Sequence, residues 1–316
     1  MSEIWTMGEI LVEIMRPRAG MELSVPGEFL GPYPSGAPAI FIDTAARLNH
    51  SASIIGSVGE DDFGKCLLDR LAKDGVDCRY VKSIPGVSTG VAFVTYFEDG
   101  SRKFIFHIDN SAAVMASSPS IPEIEQPKFF HLMGCSLFAN DKFYKEIITT
   151  MGEFVSKGAR VSFDPNIRKE LLKNRNLSAV IEPVMAECSV LLPGVEELLL
   201  ITGETTVEAA VDRIFNKYAA MEIIALKKGK KGCNIYTRNE SFNLGVYTVK
   251  PVDPTGAGDC FDAGFLCGLL ENKPLVECAK LATAAASLCT AAFGPMEGDI
   301  SIANVRKLME AEDIIK

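Results

Sequence analysis

The segment from Asp253 to Gly264 reads DPTGAGDCFDAG and leads directly into a long apolar helical pattern. Its glycines and alanine clear side chains from the loop, so the first backbone N–H groups of the helix are left pointing at one place. A helix N-terminus of this kind attracts phosphate. An acid there is a poor phosphate ligand, so we expect Asp259 to face the other reactant and accept its hydroxyl proton. From these residues alone, Asp259 could equally be a helix cap.

This segment resembles the C-terminal signature of the ribokinase-like, PfkB-type carbohydrate kinases, D-T-x-G-A-G-D-x-F-x-x-G, and departs from it at Pro254. The resemblance implies that Asp259 is the catalytic base and that the backbone of Gly256, Ala257 and Gly258 forms an anion hole. It extends over nearly the whole chain, through Gly8-Glu9 and through the segments 35–39, 56–64, 164–168 and 227–233.

On the sugar side, the resemblance implies a set of substrate-binding residues: Glu13, Gly36, Ala37, Ile40, Phe106, Asn166, Arg168 and Asp259. Two positions depart from the family pattern. Glu13 stands where an aspartate is usual, and Ile40 and Phe41 follow Ala39 where an asparagine is usual, so we expect a less polar pocket there. Arg168 could bind a substrate carboxylate or could be a structural ion-pair partner.

On the nucleotide side, the resemblance implies ATP contacts at Lys227, Gly229, Gly232, Thr255, Gly256, Gly258, Ala286 and Cys289. The lysines around Gly229 would offset the charge of an acidic protein that receives an anionic nucleotide. Ala286 and Cys289 are expected to border the adenine, although a face of small residues is also typical of plain helix packing. Glu197 aligns with the acid of the family's Asn-x-x-Glu motif, in which Gly194 replaces the asparagine, and is expected to hold Mg²⁺ through water. A monovalent cation such as K⁺ is a further expected cofactor.

The elements that position these residues follow from the alternation of short β-branched runs with helical patterns, which is typical of a parallel sheet covered on both faces. The predicted sheet strands are 4–13, 52–58, 128–132, 159–164, 188–192 and 221–226. Residues 91–108 read instead as a hairpin with its turn at 98–101, and 21–33 is extended and rich in proline and glycine. The prediction is an α/β, ribokinase-like fold with a mostly parallel central sheet, helices on both faces and a small β-sheet lid. One kinase domain would span 1–316, with the lid formed by about 15–34 and 88–109.

The charge, apolar runs and cysteines of the chain limit the partners and the cellular location that we expect. The net charge of -9 and scattered basic residues argue against a nucleic-acid partner. No basic stretch precedes a long apolar run at the start, and no apolar run reaches roughly 18 residues, so neither secretion nor membrane insertion is expected. Nine cysteines without a CxxC pair fit reduced thiols in a cytoplasmic protein. The aromatic hairpin favours a homodimer through the lid.

Together these features predict an ATP-dependent sugar kinase acting on the primary hydroxyl of a ketohexose. Residues 8–15 and 31–43 resemble the bacterial tagatose kinase branch, so D-tagatose, converted to tagatose 6-phosphate, is the first choice. Fructokinase and 2-keto-3-deoxygluconate kinase activities are the alternatives, followed by ribokinase or nucleoside kinase activity. A catalytically silent sugar or nucleotide sensor is the competing hypothesis, because both the sugar and the metal positions carry substitutions.

Overall fold

The computed structural model describes residues 2–99, 101–119, 126–172, 175–311 and 314. Within these ranges the strands are β1 (Ile4–Met7), β2 (Leu11–Met15), β3 (Leu30–Ser35), β4 (Ala52–Gly59), β5 (Val81–Ile84), β6 (Gly90–Tyr96), β7 (Arg102–His107), β8 (Phe129–Met133), β9 (Arg160–Asp164), β10 (Cys188–Leu191), β11 (Ile223–Lys227), β12 (Cys233–Tyr236) and β13 (Ser241–Leu244). The helices are α1 (Ala37–Arg47), α2 (Asp62–Lys73), α3 (Gly134–Ala139), α4 (Asp141–Ser156), α5 (Lys169–Leu172), α6 (Leu177–Glu187), α7 (Val195–Thr202), α8 (Val207–Lys217), α9 (Ala257–Leu270), α10 (Leu275–Thr290) and α11 (Ile302–Ala311).

The larger sheet has the strand order β13-β12-β11-β10-β9-β8-β1-β4-β5 in the described chain. Its strands are parallel except for β12 and β13, which are antiparallel at one edge. Every residue of β4 and of β8 is buried, so both faces of the sheet are covered by other elements. The predicted mostly parallel sheet is therefore confirmed.

A second, smaller sheet has the order β3-β2-β6-β7. The predicted hairpin forms its β6–β7 pair, although Gly100 of the predicted turn lies outside the described residues. The sheet differs from the predicted lid in including Leu11–Met15, whereas residues 16–29 form a loop and no strand. Successive side chains of β7 alternate between the two faces, so Phe104 and Phe106 face the body of the protein while Ile105 is 43% exposed on the other side.

The prediction of one strand over 4–13 is wrong, because the chain changes sheets between Met7 and Leu11. Gly8 permits this close turn, since a Cβ atom there would lie 2.2 Å from a carbon of Pro38. The turn also buries Glu9, whose carboxylate accepts hydrogen bonds from Cys135 and Ser136. A continuous strand would carry this acid into the sheet.

Close packing of α9 on α10 fixes the loop before α9. A Cβ atom on Gly264 would lie 2.8 Å from the Cα of Ala282, and one on Gly268 would lie 2.8 Å from the Cα of Cys278. Both glycines therefore let the two helix backbones approach each other, as the small residues of this helix predicted.

No helix in the described ranges is long and apolar enough to cross a membrane.

Candidate active site

Two cavities meet at the loop that precedes α9. The first, which we call the acidic cavity, has a volume of about 280 Å³ and is bounded by the small sheet, the ends of β9 and β11, and the start of α9. The second, which we call the glycine-loop cavity, has a volume of about 470 Å³ and lies between the Gly229–Gly232 loop and α10. Lys227, Gly229, Pro254 and Gly258 line both cavities, so a molecule in one can contact a molecule in the other.

The loop itself is held by Asp253, which is buried. Its Oδ1 accepts hydrogen bonds from the backbone N–H of Thr255 at 2.9 Å and from the Tyr96 hydroxyl at 2.9 Å. Its Oδ2 accepts one from the N–H of Gly294 at 3.0 Å. Because Tyr96 belongs to β6, this single carboxylate ties the small sheet to the loop.

The loop leaves backbone donors free at the helix start. Gly256 has φ 82°, and a Cβ atom there would lie 2.6 Å from the carbonyl oxygen of Pro295, so only glycine fits. Among the described residues, nothing accepts a hydrogen bond from the N–H groups of Gly256, Gly258 or Asp259, whereas the N–H of Ala257 reaches Pro254 O at 3.3 Å. The anion hole expected from Gly256, Ala257 and Gly258 stays a prediction: the N–H groups of Gly256 and Gly258 are free for it, and that of Ala257 is engaged by Pro254.

Asp259 lies in the first turn of α9 and is 5% exposed. Its Oδ1 accepts a hydrogen bond from Asn166 Nδ2 at 3.1 Å. Burial raises the pKa of its carboxyl group to about 7, and the nearby Asp164 carboxylate acts in the same direction. A carboxylate with this proton affinity, in the acidic cavity and next to Gly258, which lines both cavities, is suited to accept a proton near neutral pH.

The acidic cavity brings together every residue predicted for substrate binding, although they come from distant parts of the sequence: Glu13, Gly36, Ala37, Ile40, Phe106, Asn166, Arg168 and Asp259. Two buried oxygens in it have no hydrogen-bond partner in the described chain, namely Glu13 Oε2 and Asn166 Oδ1. Since buried polar atoms are rarely left unpaired, both are acceptors for a ligand that carries hydroxyl groups. Ile40 lines the cavity as an apolar patch, as its departure from the family pattern predicted.

Sequence reasoning missed eight further residues that line the acidic cavity: Glu9, Leu11, Arg102, Phe104, Ile108, Cys135, Asp164 and Leu171. Arg102, Phe104 and Phe106 occupy every second position of β7, so their side chains lie on one face of the strand. This two-residue period in the sequence could have identified Arg102 and Phe104 as cavity residues beside Phe106. Arg102 Nη1 donates to Thr255 Oγ1 at 3.3 Å, which gives the small sheet a second contact with the loop. Thr255 is thus buried against the small sheet and lines the acidic cavity rather than the glycine-loop cavity.

The residues predicted for the nucleotide divide into three groups. Gly229, Gly232 and Ala286 line the glycine-loop cavity, as expected. Cys289 does not, because it is fully buried and its thiol donates to Thr255 O at 3.3 Å. Lys227 lines the cavity, but its ammonium group is engaged by Asp164 and Asp262. Lys228, from the same basic run, reaches Asn234 Oδ1 at 2.8 Å and lines neither cavity.

Glu197 lies at the edge of the acidic cavity, in the first turn of α7. Its Oε1 accepts the N–H of Ile167 at 2.8 Å, and its Oε2 accepts the N–H of Gly194 at 2.7 Å. Burial raises the pKa of this carboxyl group, and the Asp164 charge adds to the effect. Each oxygen keeps a lone pair beyond its backbone bond, which suits contact with a hydrated cation. The described residues contain no cluster of three or more acid, histidine or cysteine ligands.

Comparison with known proteins identifies the family of the chain. The family model for pfkB family carbohydrate kinases matches residues 1–301. The chain belongs to this family. Fructokinase-1 of Zea mays is 30% identical over 317 residues, which cover 96% of this chain and 97% of that protein. The fructokinase of Escherichia coli is 29% identical over 269 residues, which cover 85% and 84% of the two chains.

Solved structures of carbohydrate kinases also resemble this chain over nearly its full length. An Escherichia coli protein provisionally named Ribokinase II, solved with ATP and Mg²⁺, has a TM-score of 0.90 and 36% identity over 99% of this chain and 100% of that one. A Vibrio cholerae fructokinase double mutant, solved with fructose, ADP and a potassium ion, has a TM-score of 0.84 and 26% identity over 98% of each chain. The ribokinase-like fold predicted from the sequence is therefore confirmed, as is carbohydrate kinase activity as the class of function.

Proposed function

We propose that this kinase transfers the γ-phosphoryl group of ATP to the primary hydroxyl of a ketohexose, with D-tagatose as the first choice and tagatose 6-phosphate as the product. The observation that carries the proposal is Asp259, a buried carboxylate of the acidic cavity with a pKa of about 7, adjacent to Gly258, which lines both cavities. The sugar would occupy the acidic cavity and ATP the glycine-loop cavity.

In this mechanism Asp259 accepts the proton of the attacking hydroxyl while Asn166 holds its other oxygen. The free N–H groups of Gly256 and Gly258 stabilise the charge on the phosphoryl oxygens. Phe104 and Phe106 of the small sheet cover the sugar and keep out water, which would otherwise compete as a nucleophile. Most of the rate acceleration then comes from positioning and charge neutralisation.

A magnesium ion bound with ATP would neutralise charge on the transferred phosphoryl group. Glu197 fits contact with that ion through water, because its oxygens are already held by the N–H groups of Ile167 and Gly194. Gly194 offers no side chain to replace the usual asparagine. A potassium ion, as in the Vibrio cholerae fructokinase structure, is proposed as a further cofactor.

The ketohexose assignment rests on the acceptors of the acidic cavity and on the tagatose kinase-like segments around Glu13 and Ile40. Ser35 Oγ donates to Glu13 Oε1 at 2.7 Å, and this leaves Oε2 for a sugar hydroxyl. Fructose is the alternative ketohexose, as the similarity to plant and bacterial fructokinases supports.

A coupled assay of ADP release with MgATP tests the proposal against tagatose, fructose, ribose, adenosine and 2-keto-3-deoxygluconate. We expect tagatose to give the highest kcat/KM, and a higher value for fructose would transfer the assignment to fructokinase. If ATP binds while none of the five compounds turns over, either an untested substrate or the sensor hypothesis replaces the proposal.

A specific observation favours a sugar acid as the second candidate substrate. No carboxylate lies within 4.0 Å of the Arg168 guanidinium in the ranges that the structure describes, so its role as a structural ion-pair partner is not supported. The group lies 5.7 Å from the centroid of the Phe104 ring, on the wall of the acidic cavity. An unpaired guanidinium in such a place is suited to a substrate carboxylate.

The variant Arg168→Gln separates the two candidates. If the substrate is an acid such as 2-keto-3-deoxygluconate, the variant should lower its kcat/KM by about 10²-fold, the value of one charge-assisted hydrogen bond, and affect tagatose much less. Equal losses for both compounds would argue against a carboxylate contact.

We also propose a homodimer formed by the outer face of the small sheet. Phe29 and Ile105 are 37% and 43% exposed there, and the half-buried Phe93 packs edge-on against Phe29 at 5.8 Å between ring centroids. Apolar side chains grouped on one sheet face favour a partner surface. Sedimentation at several concentrations, with Ile105→Glu as the disrupting variant, tests this proposal, and a wild-type protein that stays monomeric would rule it out.

The cellular location is proposed on a separate ground. All nine cysteines are free thiols, and seven of them are buried. Reduced cysteines in this number fit a cytoplasmic enzyme.

A further inference from the structure

Lys227, at the end of β11, has an environment that its predicted role does not explain. Its Nζ lies 2.8 Å from Asp164 Oδ2 and 3.0 Å from Asp262 Oδ1. Asp164 is 2% exposed and Asp262 is fully buried. Burial by itself lowers the pKa of Lys227, but the charges of Asp164 and Asp262 outweigh it and raise the pKa above its usual value. The ammonium group is therefore charged and bound to protein acids.

The bridge continues from Asp164 to the base. Asp164 Oδ1 accepts the backbone N–H of Asn166 at 3.1 Å, and Asp164 Oδ2 accepts its side-chain amide at 3.3 Å. The same amide nitrogen donates to Asp259 Oδ1 at 3.1 Å. Asn166 has φ 37°, in the left-handed region, so these hydrogen bonds hold it in a conformation that asparagine adopts only in a minority of cases.

We propose that Lys227 is a positioning residue for the reaction, which fixes Asp164 so that Asn166 can hold Asp259, and is not a ligand of the nucleotide phosphates. This inference rests on the proposed role of Asp259 as base. Asp262 completes the arrangement from the next turn of α9, outside both cavities. Neither Lys227 nor Asp262 belongs to the fixed positions of the family signature, so the motif alone does not assign them this role.

Lys227 can act in this way because its one ammonium group is paired with two buried carboxylates, those of Asp164 and Asp262. Without it, Asp164 loses its nearest countercharge and becomes free to take up a proton or to move, and Asn166 then loses the acceptor that orients its amide. The charged groups around Asp259 are Asp164, Arg168, Lys227 and Arg102, together with Asp262 on its own helix and the thiols of Cys135 and Cys289. A small displacement of a base from its reacting hydroxyl can cost about 10²-fold in rate.

The test is the variant Lys227→Met, assayed for turnover and, without sugar, for ATP binding by calorimetry. We expect kcat to fall about 10²-fold while the Kd for ATP stays within about threefold of the wild type. The acid limb of kcat/KM for the sugar should move to higher pH, because Lys227 lowers the pKa of Asp259. A Kd that rises more than about tenfold with kcat retained would show a phosphate ligand and overturn the proposal.

Two further variants keep the result interpretable. Lys228→Met removes a neighbouring lysine that contacts neither cavity and should leave kcat and Kd unchanged. Asp262→Asn should lower kcat by about tenfold without weakening ATP, and it carries the test if Lys227→Met does not fold. An unchanged kcat in Asp262→Asn overturns the proposal. Activity retained in Asp259→Asn would instead refute the base itself, so the two failures are distinguishable.

Discussion

The two cavities of this kinase are lined by different kinds of residues. The acidic cavity is lined by long polar and aromatic side chains from β2, β7, the end of β9 and α9, among them Glu13, Arg102 and Asn166. The glycine-loop cavity is lined by glycines, valines, prolines and the small residues of α10, such as Ala286 and Ser287. The acidic cavity therefore presents specific side-chain atoms to a ligand, whereas the glycine-loop cavity presents mainly backbone atoms and small side chains.

This difference indicates where selectivity lies. A site with unpaired acceptors rejects a ligand that lacks the matching hydroxyls, because the buried oxygens then stay unpaired. Under the proposed function, Glu13 Oε2 and Asn166 Oδ1 would be the unpaired acceptors that provide this discrimination in the acidic cavity. In the glycine-loop cavity only one lining side-chain oxygen of the described chain, Thr283 Oγ1, is buried without a hydrogen-bond partner. Substitutions should therefore affect the two ligands separately.

The largest effect is expected at the junction of the cavities. Asp259→Asn removes the base while preserving its shape, so kcat should fall by roughly 10²-fold or more, with little change in ATP affinity. Steady-state turnover and calorimetric titration with ATP measure the two quantities. An unaltered kcat would contradict the base assignment, and a large loss of ATP affinity would show that Asp259 serves the nucleotide.

The pH dependence should give the next largest effect and should appear on the sugar side alone. Burial raises the pKa of Asp259 to about 7, so its proton-accepting form is lost as the pH falls below that value. We expect kcat/KM for the sugar to fall about tenfold per pH unit below 7 and to level off above it. ATP binding measured over the same range should vary far less. A flat sugar profile down to pH 5 would place the pKa of the base well below 7.

A reciprocal pair of variants tests the separation of the cavities directly. Glu13→Gln should raise KM for the sugar by about tenfold and leave that for ATP unchanged, since it weakens one charge-assisted hydrogen bond. Ala286→Leu should raise KM for ATP by about tenfold through overpacking and leave that for the sugar unchanged. Crossed effects in either variant would show that the two cavities are not independent.

The smallest effect is expected at Cys289. Its thiol donates to Thr255 O and lies on the buried face of α10, away from both cavities. Cys289→Ser keeps a donor at this place and should change KM for ATP by less than about threefold. A larger rise would return this residue to the adenine site that its sequence position suggested.

The sequence predicted the frame of the molecule well because that frame depends on local chemistry. The β-branched runs became the parallel strands of the large sheet, and acceptor side chains such as Asp61, Asn140 and Thr206 cap the starts of α2, α4 and α8. The strand predicted over 4–13 was wrong because its apolar pattern does not reveal that the chain leaves one sheet for another. The short strands β5, β12 and β13 carried too little periodicity to be assigned.

Within the site, the sequence by itself predicted the loop before α9 as an anion site, since glycines and the start of a helix are features of one short segment. The resemblance to the family supplied the predicted substrate-binding residues, and all of them line one cavity. Only the tertiary structure decided which residues of the site contact one another. It engaged Lys227 with Asp164 and Asp262, paired the Cys289 thiol with Thr255 O and set Arg102 against Thr255. These pairings join residues 34 or more positions apart, and the cost of burying a charge without a partner becomes visible only when the chain has folded around it.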